Sequence, residues 1–442
     1  MKIQLSEHFD YKKLFKFTLP SVVMMVFISI YGVVDGFFVS NFVGKTPFAA
    51  VNFIMPFLMI LGTVGFMFGT GGSAIIAKTM GEGNNKKARA IFSMLVYVSL
   101  ALGIVISALG LVFIKPVAEL LGAEGELLKN CVTYGRIILL SVPALIMQFE
   151  FQAFFITAEK PQLGLVMTVI AGVTNIVLDA LFVAVFKWGL VGAAWATATS
   201  QLAGGIFPLI YFSFKNTSLL RLKKPIFDFA ALIKTCTNGA SEFVNNISMS
   251  VVGMLYNVQL IKYAGENGVA AYGVIMYVNL LFLSVFIGYS IGVAPIISYH
   301  FGAKNSGEIK SVKSKSIVII LASSVAMFLF AYLLAKPIST IFVSYDKQLF
   351  DMTVSAFKTY SLSFLFAGVA IFGSSYFTAL NDGLTSAIIS FLRTLVFEVA
   401  AVLVFPIVWG ITGIWASIVA AEALAVLVTV TFFKIKAKKE KL

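Results

Sequence analysis

Cysteine and histidine are nearly missing: Cys131, Cys236, His8 and His300 are all that 442 residues carry. None falls into a CxxC, HExxH or comparable spacing, so the chain offers no His/Cys metal site and no disulfide framework. Charge is also scarce. Asp, Glu, Lys and Arg supply 12% of the residues, where a soluble domain carries about a quarter. That little polar surface cannot cover a water-soluble particle of 47.9 kDa. With 59% hydrophobic residues and a mean hydropathy of +0.96, the missing solvent is lipid.

What charge there is has a pattern. The net charge of +13 does not mark a nucleic-acid surface, because the basic residues sit between apolar runs and at the two ends. Twelve apolar runs reach the roughly 20 residues that a spanning helix needs. They lie near 17–40, 48–77, 91–114, 131–156, 163–186 and 189–213, then 235–261, 269–298, 315–335, 353–379, 384–407 and 410–433. If the N-terminus is inside, 23 of the 33 Lys and Arg fall in inside segments and 9 outside, with Arg393 within a span. By the positive-inside rule both termini are expected in the cytoplasm of a multi-pass plasma (inner) membrane protein. Residues 1–16 are polar, with Phe9, Tyr11 and Phe15 as interfacial residues. The first apolar run lacks a small-residue cleavage motif, so it is expected to be a retained helix.

The two halves repeat. A shift of 221 positions puts Gly32 on Gly253, Gly44 on Gly265, Gly81 on Gly302, Asn84 on Asn305, Gly189 on Gly410 and Gly192 on Gly413. The expected fold is therefore an all-α integral membrane protein of 12 transmembrane helices in two parallel, pseudo-twofold-related six-helix bundles. These are residues 1–213 and 235–442, joined by a cytoplasmic linker at 214–234. Six crossings return the chain to the side where it started, so the axis runs along the membrane normal. Repeats of this kind build alternating-access transporters with a site between the bundles.

Charges at membrane depth cost at least about 2.5 kcal/mol each and are functional candidates. The set here is Asp35, Glu150, Asp179, Glu242, Arg393, Glu398 and Glu422. At 1.5 Å per residue, Asp35 lies about 27 Å and Asp179 about 24 Å from the inner ends of the first and fifth runs. Asn175 is one helical turn before Asp179, and Thr197 lies at similar depth on the sixth run. Two carboxylates, an amide and a hydroxyl can share a proton, since adjacent carboxylates in a low dielectric cannot both ionise cheaply. They can equally form an oxygen cage for sodium, or simply tie helices together. The shift of 221 places Tyr256 opposite Asp35 and Ala400 opposite Asp179, so the acidic pair belongs to the first half only. Asn257 is the nearest amide to the Asp35 equivalent. Arg393 and Glu398, five residues apart, do not share a face of a regular helix; Arg393 is expected to pair with Glu242 or Glu422. Pro20 either hinges the first helix or starts it.

The chain resembles the multidrug and toxic compound extrusion (MATE) family over nearly its whole length. The resemblance rests on Leu19-Pro20 with Tyr31-Gly32-Val33-Val34-Asp35, on Asn175-Ile176-Val177-Leu178-Asp179, and on Gly189-Leu190-Val191-Gly192-Ala193-Ala194. Gly81 with Asn84, and Gly410-Ile411-Thr412-Gly413-Ile414-Trp415, complete it. The chain is more similar to MepA- and DinF-like members than to the Vibrio NorM type, whose acidic pair on the seventh and tenth spans is missing here. The resemblance implies a monomeric antiporter expelling drug-like or organic cations against inward H+ or Na+ flow. It assigns cation coupling to Asp35, Asp179, Asn175 and Thr197, and bending to Pro20. The substrate cavity would draw on Gln152, Glu242, Tyr256, Asn257 and Arg393. No enzymatic activity, metal or organic cofactor is expected, and the partners are small molecules and the bilayer. A lipid-linked saccharide flippase of the same superfamily is the alternative, favoured by a strongly basic cavity; a channel would show flux without exchange.

Overall fold

The computed structural model describes residues 3–440, mostly helical and without a strand among them. Lys2 and Lys441, counted above among the basic residues, lie outside the described residues, as do the side chains of Lys45, Lys438 and Lys439. The first bundle holds α1 (Tyr11–Phe42), α2 (Lys45–Gly81), α3 (Asn85–Leu120) and α4 (Gly125–Thr157). It closes with α5 (Pro161–Asp179), extended by a π-turn at Ala180–Val185, and α6 (Gly189–Ser213). The second begins with the helical stretch Phe229–Gly302, which breaks at Gly265 into α7 (229–264) and α8 (266–302). Then come α9 (Ser306–Val343) and α10, a bent pair of Lys347–Ser361 and Phe364–Ala379. The eleventh span, α11, runs from Gly383–Phe391 through a π-turn at Leu392–Phe397 to a break at Gly410, and α12 (411–440) follows. These are the twelve crossings, in the expected two bundles.

The breaks carry the repeat. Gly44 and Gly265 have φ of 109° and 62°, and Gly189 and Gly410 have 59° and 57°. Left-handed backbone of this kind favours glycine, which explains why those pairs stand in register. Asn84 and Asn305 cap α3 and α9 in the same way, accepting from the N–H of Lys87 and Glu308. The register slips by one at the fifth helices, which start at Pro161 and Gly383.

Helices outrun the apolar runs because their charged ends continue into water. Between α6 and α7 residues 214–228 form no helix, yet they are not loose: Leu220 is fully buried, and Asp228 caps α7. Bulky apolar side chains such as Ile341, Ile407 and Leu384 are left facing outward, a distribution that only lipid makes stable.

All the basic connections gather at one end, and there the bundles close on each other. Gly81 packs on the carbonyl of Tyr299 and its repeat mate Gly302 on that of Lys78; an added Cβ would overlap either oxygen. Gly288 of α8 presses likewise on the carbonyl of Ser21 in α1, and Gly292 lies in tight contact with Thr18. Midway, Ser29 Oγ still reaches Leu280 O at 3.4 Å. Beyond it nothing lies within 4 Å of the Cβ positions at Gly32, Gly36, Gly253 or Gly273. The molecule is a V, closed at the lysine-rich face and open at the other.

Candidate functional site

The first bundle brings its acidic pair together. Asn175 and Asp179 share the inner face of α5, both buried, and the helix widens into its π-turn immediately after Asp179. Such π-turns recur where a helix presents functional groups. From α1, Asp35 faces Asp179, Asn175 and Thr197. Asp35 is half-buried beside the open positions of Gly32 and Gly36, so it stands on the cleft wall. Thr197 Oγ1 donates to Asp35 Oδ1 at 3.5 Å. Asn175's amide and both carboxylate oxygens of Asp179 have no hydrogen-bond partner among the described residues.

Unsatisfied buried groups of this kind are expensive, and two facing carboxylates repel. A proton between the carboxylates, or a monovalent cation bound by carboxylate, amide and hydroxyl oxygens, relieves both costs. The donor set fits either ion, and among the described residues no group of three or more His, Cys, Asp or Glu is arranged for a metal.

Sequence reasoning did not assign two tyrosines beside this site. Tyr134 of α4 is buried and faces Asp35 and Thr197, and Tyr31 of α1 faces Gln148 of α4. Tyr31 opens the quoted motif one helical turn before Asp35, whereas Tyr134 carries no signal separating it from other membrane tyrosines. Gln152 is buried one turn from Gln148 in a cleft shared with Met167, Thr168 and Gly204, with both its amide atoms unpartnered. Glu150, on the same helix, instead accepts from Ser99.

Pro20 sits nine residues into α1 and is buried, so it is not a helix-start residue. Its missing N–H leaves the carbonyl one turn earlier without its helical partner.

The second bundle is arranged differently. Arg393 pairs with Glu422 of α12 through a fork, Nε to Oε2 at 2.9 Å and Nη2 to Oε1 at 2.7 Å. The π-turn changes the expected relation of Arg393 to Glu398. Its wider winding brings residues five apart towards one face, and the two groups now interact. Glu242 of α7 also senses Arg393 but forms no ion pair with it. Tyr256 is buried and stacks on Tyr272, ring centroids 5.1 Å apart. Asn257 points away from Tyr256, on the exposed stripe of Met254, Val258 and Ile261.

The MatE family model matches the chain twice, at residues 20–181 and 243–404. The chain belongs to the MatE family. Each half of this MatE protein is thus one copy of the unit recognised above as a repeat. It is 26% identical to the multidrug export protein MepA of Staphylococcus aureus (strain MRSA252) over 421 residues, covering 94% of this chain and 92% of that protein. It is 27% identical to the MepA of Staphylococcus haemolyticus over 415 residues, 94% and 91% of the two chains. Its fold matches a multidrug resistance MATE family transporter solved in an outward-facing conformation, with a TM-score of 0.94, 23% identity and coverage of 100% and 98%. A MOP superfamily transporter from Pyrococcus furiosus matches at a TM-score of 0.90 with 24% identity and 98% of both chains.

Proposed function

We propose that this MatE protein is a cation-coupled antiporter that exports drug-like or organic cationic compounds by alternating access, with both termini in the cytoplasm. The observation that carries the coupling is the facing pair Asp35 and Asp179, with both carboxylate oxygens of Asp179 buried and without a hydrogen-bond partner. Inward-moving H+ or Na+ occupies this pair, and its release lets the cleft take the next substrate. The similarity to MepA, a multidrug export protein, supports the substrate class, and the half-buried ring of Tyr31 beside Asp35 suits an organic cation.

The saccharide flippase alternative loses its main support, because the intramembrane arginine is already held by Glu422. Proteoliposomes with H+ and Na+ gradients imposed separately test the reading. Asp35→Asn and Asp179→Asn should each reduce gradient-driven export of a fluorescent cation such as ethidium to the protein-free level while leaving yield and monodispersity intact. Wild-type export by both variants sinks the coupling role, and conductance without exchange would make the protein a channel.

A further inference from the structure

The segment before α1 does not belong to the bundle that α1 helps to build. The N–H of Leu5 donates to Glu159 Oε1, in the connection between α4 and α5, at 2.9 Å. Four residues on, the N–H of Phe9 donates to Glu308 Oε1 of α9 at 2.8 Å, and His8 Nδ1 lies 2.6 Å from Glu308 Oε2. Lys315 Nζ then donates to the carbonyl of Phe9 at 2.6 Å. Leu5 and Phe9 are fully buried. Residues 3–10 therefore tie the first bundle to the second across the closed face.

The segment before α7 does the same in reverse. Arg89 Nε of α3 donates to Leu219 O at 2.7 Å, the N–H of Lys223 donates to Ser93 Oγ at 2.9 Å, and Lys87 pairs with Asp228 at 3.8 Å. The N–H of Asp228 meets Met94 Sδ at 3.1 Å. In the 221 register Lys87 is the mate of Glu308 and Met94 the mate of Lys315. Each bundle's first helix is thus preceded by a strap held by the start of the third helix of the other bundle. The strap 214–228 carries the chain from α6 into α7, whereas 3–10 reaches both bundles through its hydrogen bonds with Glu159, Glu308 and Lys315.

We propose that residues 3–10, bonded to both bundles, form a releasable latch on the lysine-rich face, and that alternating access requires this strap to leave one of them. The transport step in this proposal rests on the reading under Proposed function; the latch itself does not. His300, buried at the seam beside His8 and Glu308, reports on it. In a Cys131→Ala/Cys236→Ala background, His300→Cys should react slowly with a polar maleimide in the full-length purified protein. Adding Glu159→Ala and Glu308→Ala should raise that rate at least about tenfold, and an unchanged rate overturns the latch. This arm needs no substrate or coupling ion.

A second arm runs in the opposite direction. His8→Cys and Glu308→Cys in the same background, joined as a disulfide, should lose most ethidium export and regain it on reduction. Export unchanged by oxidation, with the cross-link verified by mass, overturns release as a step. If the protein with His8 and Glu308 intact, reconstituted in parallel, exports nothing, the transport reading fails, while the labelling arm still decides the latch.

Discussion

At the scale of single residues, two pairs of membrane charges contrast: Arg393 and Glu422 satisfy each other, whereas Asp179, facing Asp35, keeps both oxygens without a partner. Arg393 and Glu422 complete each other, with only 12% and 4% of their side chains exposed. Removing one partner strands the other charge, which costs about 3–5 kcal/mol. Arg393→Ala should therefore lower the thermal unfolding temperature sharply, and Arg393→Met/Glu422→Leu should recover most of it. A single variant as stable as the wild type would show that the fork contributes nothing. Asp382 gives a pH-dependent counterpart outside the spans. Burial raises its carboxyl, but the hydrogen bonds from Lys436 and Thr385 outweigh it and hold the group below the usual carboxylate range. With the folded-state value depressed, its contribution is present at neutral pH and is lost as pH falls through that value. Asp382→Asn keeps a side chain able to cap the helix at Gly383 but drops the 2.5 Å pair with Lys436. It should lose about 1 kcal/mol at pH 7, and the loss should shrink as pH falls below the usual carboxylate range, read from melting curves.

At the scale of helices, glycine placement sets where the bundles touch. Gly81 and Gly302 let α2 and α8 meet backbone to backbone, so Gly81→Val or Gly302→Val forces the lysine-rich face apart. The expected result is faster labelling of His300→Cys in the cysteine-free background and weakened export; unaltered labelling would mean that the closed face tolerates the added side chain. Helix geometry also marks the limits of sequence reading. The twelve runs, their repeat and the shared face of Asn175 and Asp179 follow from hydropathy and helical periodicity, and were legible. The meeting of Arg393 and Glu398 was not, because it depends on a π-turn that hydropathy and helical periodicity do not reveal. Phe9 was read as interfacial and is buried, because its neighbours Glu308 and Lys315 are some three hundred residues away in the chain. His8 and His300, isolated in sequence, meet at the same seam for the same reason.

At the scale of the whole molecule, a symmetric shell encloses unlike interiors. Backbone breaks and caps repeat at Gly44 and Gly265, Asn84 and Asn305, and Gly189 and Gly410, because geometry demands the same residue twice. The chemistry is free to diverge. Where the first bundle has Asp35 half-open to the cleft, the second has Tyr256 buried against Tyr272; where the first has Asp179, the second has Ala400, or Ala401 once the one-residue slip is counted. If coupling needs two facing carboxylates rather than one acid on the pseudo-twofold axis, moving Asp35 across the axis cannot restore it. Asp35→Asn/Tyr256→Asp should then be as inactive in gradient-driven ethidium export as Asp35→Asn alone, at matched reconstitution levels. Recovery in the double variant would mean that the second bundle can couple with a single acid, and that the asymmetry of the interiors is not what assigns ion coupling to the first.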